Sequence, residues 1–213
     1  MIKKYLFLLC TCFWVTVVLA NPIKLMVFGD SLSVGHHLPQ EDSFYFQLEK
    51  ALQKDGFDVQ TLNYSKSGET STGGLAKVSE AIEMQPDAVL LELGINDAFQ
   101  RVKISTVQQN LQEIINSFLK NNIPVLLIGM EAPILMDLTY RSAFKNMYQT
   151  LAKDNNLLLY PFFMNGLWKT NGAHMNLDYF LSDLIHPSAQ GVEIMTQNIL
   201  PTVKKFLKTY KSN

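Results

Sequence analysis

Four short segments of the chain collect small and polar residues of the kinds used in acyl transfer. They are Gly29-Asp30-Ser31-Leu32-Ser33, Ser65-Lys66-Ser67-Gly68-Glu69-Thr70, Gly94-Ile95-Asn96-Asp97 and Asp183-Leu184-Ile185-His186-Pro187. Acyl transfer needs a nucleophile, a base to take its proton, a group to orient that base, and donors for the developing oxyanion. Ser31 offers the hydroxyl, on what reads as a tight turn. Pro187 disfavours helical backbone at His186, so the imidazole should sit on a loop. A turn can then bring Asp183 back to the ring and fix its tautomer. Asn96 carries an amide that can donate to an oxyanion, and Gly68 a backbone N–H that a ligand can approach closely. Each residue alone has an ordinary use. Ser31 can cap a helix, His186 can start one, and Asn96 and Gly68 can make turns. The chemistry rests on their joint appearance.

The elements between these segments alternate. Short apolar runs cover Ile23–Phe28, Val59–Tyr64, Ala88–Leu93, Pro124–Met130 and Leu157–Tyr160. Runs apolar on both faces suit strands of a buried parallel sheet. Helical spacing lies between them. Phe44, Leu48, Ala51 and Leu52 share one face, Leu75, Val78, Ala81 and Ile82 a second. Val107, Leu111, Ile114, Ile115, Phe118 and Leu119 form a third, with Ser105 or Thr106 expected as its cap. Phe144, Met147, Tyr148 and Leu151 form a fourth. Residues 189 to about 208 form a fifth, with a kink expected near Pro201. Strand and helix in alternation predict a doubly wound α/β domain, whose ligands gather at the carboxyl ends of the strands. All but the last of the polar segments directly follow predicted strands; the last precedes the final helix.

Lys3 and Lys4, the apolar run Tyr5 to Val18 and the small residues Val18-Leu19-Ala20 have the pattern of a cleaved signal peptide, 1–20. The run is short for a membrane span, so no stable membrane insertion is expected. One domain, 21–213, would remain after export. Both cysteines, Cys10 and Cys12, fall in the leader, so the exported chain has no thiol for a disulfide or metal. Lys and Arg number 18 against 19 Asp and Glu, with no long run of one sign, which argues against a nucleic-acid partner.

With these blocks in this order and spacing, the chain resembles the GDSL/SGNH hydrolases, most closely their bacterial periplasmic branch of thioesterases, arylesterases and lysophospholipases. The family's serine, glycine, asparagine and histidine match Ser31, Gly68, Asn96 and His186, with Asp183 as the acid of a Ser-His-Asp triad. The resemblance runs from Ile23 to about Phe206. It implies a flavodoxin-like α/β/α sandwich on a parallel five-stranded sheet. It also implies an oxyanion hole from the Ser31 and Gly68 N–H groups and the Asn96 amide, no cofactor, and a small-molecule or lipid acyl ester as substrate.

Some positions depart from the family's usual pattern. Leu184 stands where glycine often follows the aspartate, and Ala98 where glycine often follows Asn-Asp. Close relatives often carry Gly-Tyr-Gly-Leu-Pro after the serine block; here the run is Gly35-His36-His37-Leu38-Pro39. Adjacent histidines diverge in direction and no third ligand stands out, so no metal is expected there. After the fourth strand, the stretch 132–140 should be a loop whose Ile134, Leu135, Met136 and Leu138 line an acyl-binding groove. Those residues are too apolar for the rim of a carbohydrate O-acetylesterase, the competing enzymatic reading. A non-catalytic module on the same fold, such as a flavin-type binder, would not need Ser31, Asp183 and His186 together. No Gly-x-Ser-x-Gly elbow, Walker loop or His-Glu-x-x-His is present.

Overall fold

A computed structural model describes residues 21–167 and 176–211. The leader, 1–20, lies outside the described residues. The strands are β1 (Ile23–Phe28), β2 (Val59–Asn63), β3 (Ala88–Leu91), β4 (Val125–Ile128) and β5 (Leu158–Tyr160). The helices are α1 (Ser31–Val34), α2 (Phe44–Lys54), α3 (Ser71–Glu83), α4 (Ile95–Phe99), α5 (Ile104–Lys120), α6 (Leu138–Asp154) and α7 (Ala189–Lys211). Short 3-10 turns cover Gln40–Asp42 and Leu177–Tyr179.

All strand pairings are parallel, in the order β2-β1-β3-β4-β5. Every residue of β3 and β4 is buried, as their unbroken apolar runs require, whereas β2 at one edge buries only Val59 fully. Helices α2 and α7 pack together, and α3, α5 and α6 pack as a second group. The result is the expected three-layer α/β/α sandwich of flavodoxin-like order. Its chain reverses direction across the sheet between β1 and β3, the switch point where such folds open a crevice. Ser31 follows β1 and Asn96 follows β3, so both stand at that crevice.

Several boundaries differ from the sequence expectation. Helix α5 is entered through Lys103, whose carbonyl accepts from Thr106 and Val107, and no side chain caps it. Ser105 and Thr106 are already helical, so neither is the cap. Helix α6 starts at Leu138, because the Asp137 carboxylate accepts from Tyr140 N at 2.8 Å. The expected loop therefore ends at Asp137, and Leu138 and Tyr140 belong to a helical turn. Helix α7 includes Pro201 and continues to Lys211.

Candidate active site

The serine segment leaves β1 and turns at once into α1. The Asp30 side chain caps that helix by accepting from Leu32 N at 3.0 Å, which places Ser31 at its first position. A first-turn N–H has no partner within its own helix. The Ser31 N–H is thus available to a ligand, and the residue is 7% exposed.

The histidine arrives from 155 residues away. Phe180 and Pro187 form an antiparallel bridge, and Leu181 N donates to His186 O at 2.8 Å, closing a compact loop before α7. Inside it, Asp183 Oδ1 accepts from Ile185 N at 2.9 Å and His186 N at 3.0 Å. Asp183 Oδ2 lies 2.7 Å from His186 Nδ1, and His186 Nε2 lies 3.0 Å from Ser31 Oγ. Partial burial pushes the Asp183 carboxyl up. The hydrogen bonds from the His186 ring and from the backbone of His186 and Ile185, with the charge of a protonated His186, outweigh that and hold it down at about 2. An ionised carboxylate on Nδ1 leaves Nε2 as the free base facing the hydroxyl, the arrangement that lets an imidazole take a serine proton.

Two loops flank the serine. Gly68 adopts φ +78°, and its N–H has no acceptor among the described residues. The loop carrying it is riveted to α4. Asp97, fully buried, accepts from Ser71 N and from Ser71 Oγ, each at 2.7 Å. Asn96 Nδ2 donates to Glu69 O at 2.8 Å and more distantly to Asp30 Oδ2 at 3.2 Å. Gly94, which opens α4, has φ +129°, and a Cβ there would run into the hydroxyl of buried Tyr148. That hydroxyl donates to Leu93 O at 2.8 Å, so α6 fixes the backbone from which Asn96 projects.

Residues 27–194 match the GDSL-like lipase/acylhydrolase family. The chain belongs to this family. It is 32% identical over 184 residues to Esterase TesA of Pseudomonas aeruginosa, covering 86% of this chain and 89% of the relative. It is also 32% identical over 163 residues to thioesterase 1/protease 1/lysophospholipase L1 of Escherichia coli, covering 72% and 76%. Among solved structures, the psychrotrophic esterase EstA from Pseudoalteromonas sp., in a form inhibited by monoethylphosphonate, superposes with a TM-score of 0.79. Identity there is 26%, over 87% of this chain and 98% of the other. As a GDSL/SGNH hydrolase, the chain is a carboxylic ester hydrolase.

The departures from the GDSL pattern have structural counterparts. Leu184 and His37, both at positions where relatives often carry glycine, have φ +57° and +63°. A side chain in that left-handed region costs about 1–2 kcal/mol. Here neighbouring hydrogen bonds hold the backbone: Leu184 N donates to Leu181 O and Leu38 N to Gly35 O. Of the expected groove residues, Ile134, Leu135 and Leu138 are 79%, 92% and 77% exposed, while Met136 packs half-buried against the core.

One residue at the site escaped the sequence reading. Glu92 lies within the third apolar run and is fully buried. Its Oε2 accepts from Ser33 Oγ at 2.8 Å and from Asp30 N at 3.3 Å, beneath the turn that carries Ser31. Its Oε1 has no partner among the described residues. Burial first, and then the nearby Asp30 carboxylate, push the Glu92 carboxyl well above its usual range. A lone glutamate inside an apolar run was the available signal.

Proposed function

We propose that the protein is an exported serine esterase that hydrolyses acyl esters or thioesters through an acyl-enzyme on Ser31. The observation that carries this reading is the aligned set Ser31 Oγ–His186 Nε2 at 3.0 Å and His186 Nδ1–Asp183 Oδ2 at 2.7 Å, in a chain of the GDSL family. His186 Nε2 takes the Ser31 proton as Oγ attacks the acyl carbonyl. The imidazolium that forms is stabilised and oriented by Asp183. Negative charge collects on the carbonyl oxygen and is met by the N–H groups of Ser31 and Gly68 and by the Asn96 amide. For Asn96, the longer contact to Asp30 is the one exchanged for the oxyanion. The tetrahedral intermediate collapses, and His186 gives its proton to the departing alcohol or thiol. Water, deprotonated by His186, then attacks the acyl-enzyme, and the acid and free Ser31 are released. The scheme needs only these residues and one water.

For the acyl chain, Ile134, Leu135, Met136 and Leu138 supply the apolar wall at the carboxyl edge of β4. Among the described residues no helix is long and apolar enough to cross a membrane. With 1–20 read as a cleaved leader, the enzyme is exported and periplasmic. The names of the relatives, esterase, arylesterase and thioesterase, support this substrate class.

Nitrophenyl esters of rising chain length, lysophospholipid and acyl-CoA, offered to purified protein, test the proposal. Ser31→Ala and His186→Ala should each remove most of kcat, and the double variant should be little worse than either. A Ser31→Ala protein that turns over near the wild-type rate would end it.

A further inference from the structure

The departure at His36-His37 places a second imidazole against the first. Gly35 closes α1 in the left-handed conformation, His36 N donates to Ser31 O at 3.2 Å, and His37 is itself left-handed. This tight return brings the His36 ring over His186, with centroids 4.6 Å apart and planes tilted by 45°. His36 Nδ1 lies 3.0 Å from Ser67 Oγ, the residue before Gly68. His37 lies outside, exposed, its ring 3.9 Å from that of His36. His36 thus bridges the catalytic imidazole proposed above and the loop proposed to bind the oxyanion. We propose that His36 is a positioning residue for His186 that must be uncharged for full turnover. The inference rests on His186 being the base.

The physical reason is the charge that turnover creates. His186 becomes an imidazolium each time Ser31 attacks. A neutral ring at 4.6 Å tolerates that charge, whereas a protonated one repels it. The groups facing His36 are His37, His186 and Asp183. Burial, then the like charges that His37 and His186 can carry, push the His36 pKa down, with Asp183 opposing. Asp183, held at about 2, stays ionised through the range that matters. Attack by Ser31 should therefore be slower by about tenfold when His36 is protonated, a figure discounted for the partial exposure of the pair, and the same repulsion disfavours protonation of His186, so the observed rate loss is largest in the middle of the acid limb. A tyrosine at this position, as in close relatives, would keep the packing and lose the proton.

The test is kcat/KM for a nitrophenyl acetate ester from about pH 4.5 to 8.5 in wild type, His36→Phe, His36→Tyr and His37→Phe. Because a charged His36 also disfavours protonation of His186, the acid limb of wild type should be broader than that of either His36 variant. His36→Phe and His36→Tyr should exceed wild type by about twofold in the middle of the limb, converge with it at the acid end and match it near pH 8. His37→Phe, which leaves the His36–His186 contact in place, should keep the broad limb. As a second readout, the His36 ring in Ser31→Ala should titrate below the ordinary histidine value and move up when His186→Phe is added. Identical acid limbs in wild type and His36→Phe, an equal loss at every pH, or a His36 titration unmoved by His186→Phe would each overturn the proposal. An inactive His186→Ala alongside such a result confines the failure to His36. An active His186→Ala would remove the base assignment and this role with it.

Discussion

Glu92 holds the turn under Ser31, yet among the described residues no cation pairs with its buried carboxyl. A charged carboxylate without a cation or a full set of donors is costly inside a protein, so the neutral acid is the favoured form. Its unpartnered Oε1 is the oxygen left to carry the proton. The consequence for stability has a definite sign. Above the ordinary glutamate value of 4.5, the unfolded chain releases this proton while the folded chain keeps it. Folding then binds a proton, and the stabilisation it carries is lost as pH rises toward the folded value. Glu92→Gln, which mimics the neutral acid, should keep most activity and gain stability relative to wild type between about pH 5 and pH 8. Glu92→Ala, which leaves Ser33 and Asp30 N without their acceptor, should lose activity through kcat. Urea unfolding across that pH range, with kcat beside it, checks both; a stability difference that does not move with pH would mean Glu92 is ionised. The proposed site residues Ser31, Gly68, Asn96, Asp183 and His186 could be picked out because each stands in a polar segment, on a loop or, for Ser31 and Asn96, in the first turn of a short helix. Glu92 and the riveting role of Asp97 could not, since both act by burial and partners, which residue type alone does not report.

At the scale of elements, the periodic helices and the strands over 23–28 and 125–128 were readable from apolar spacing. Their ends were not. The ends of α5 and α6 depend on which acceptor reaches the free first-turn N–H groups. That acceptor is the Lys103 carbonyl in one case and the Asp137 carboxylate in the other. The correction at α6 sharpens the acyl-wall proposal. Met136 serves the core, so replacing it would confuse stability with specificity. Ile134 and Leu135 are free of that conflict. The double variant Ile134→Ser/Leu135→Ser should lower kcat/KM about tenfold or more for an octanoyl nitrophenyl ester, because each methylene of the acyl chain left in water forgoes roughly 0.8 kcal/mol. The acetyl ester, too short to reach the wall, should stay within about twofold. Equal losses on both would make the loop structural and strengthen the O-acetylesterase reading.

Over the whole molecule, the doubly wound class follows from alternating strands and helices, but the strand order does not. Periodicity says which residues pair with a sheet, not which neighbour they choose. The 2-1-3-4-5 order was expected only through the family resemblance. That order makes the site: it sets the segments after β1 and β3 side by side, and α7, packed on α2, delivers His186 to Ser31 across 155 residues. The proposed mechanism therefore rests on one covalent event at Ser31. The direct measurement is the intact mass of the exported protein before and after treatment with a fluorophosphonate, followed by peptide mapping. The expected result is a chain beginning at Asn21 that gains one phosphonyl group, on the peptide containing Ser31, with no gain in Ser31→Ala. A label on another serine, or a Ser31→Ala protein that is labelled and still hydrolyses esters, would contradict it.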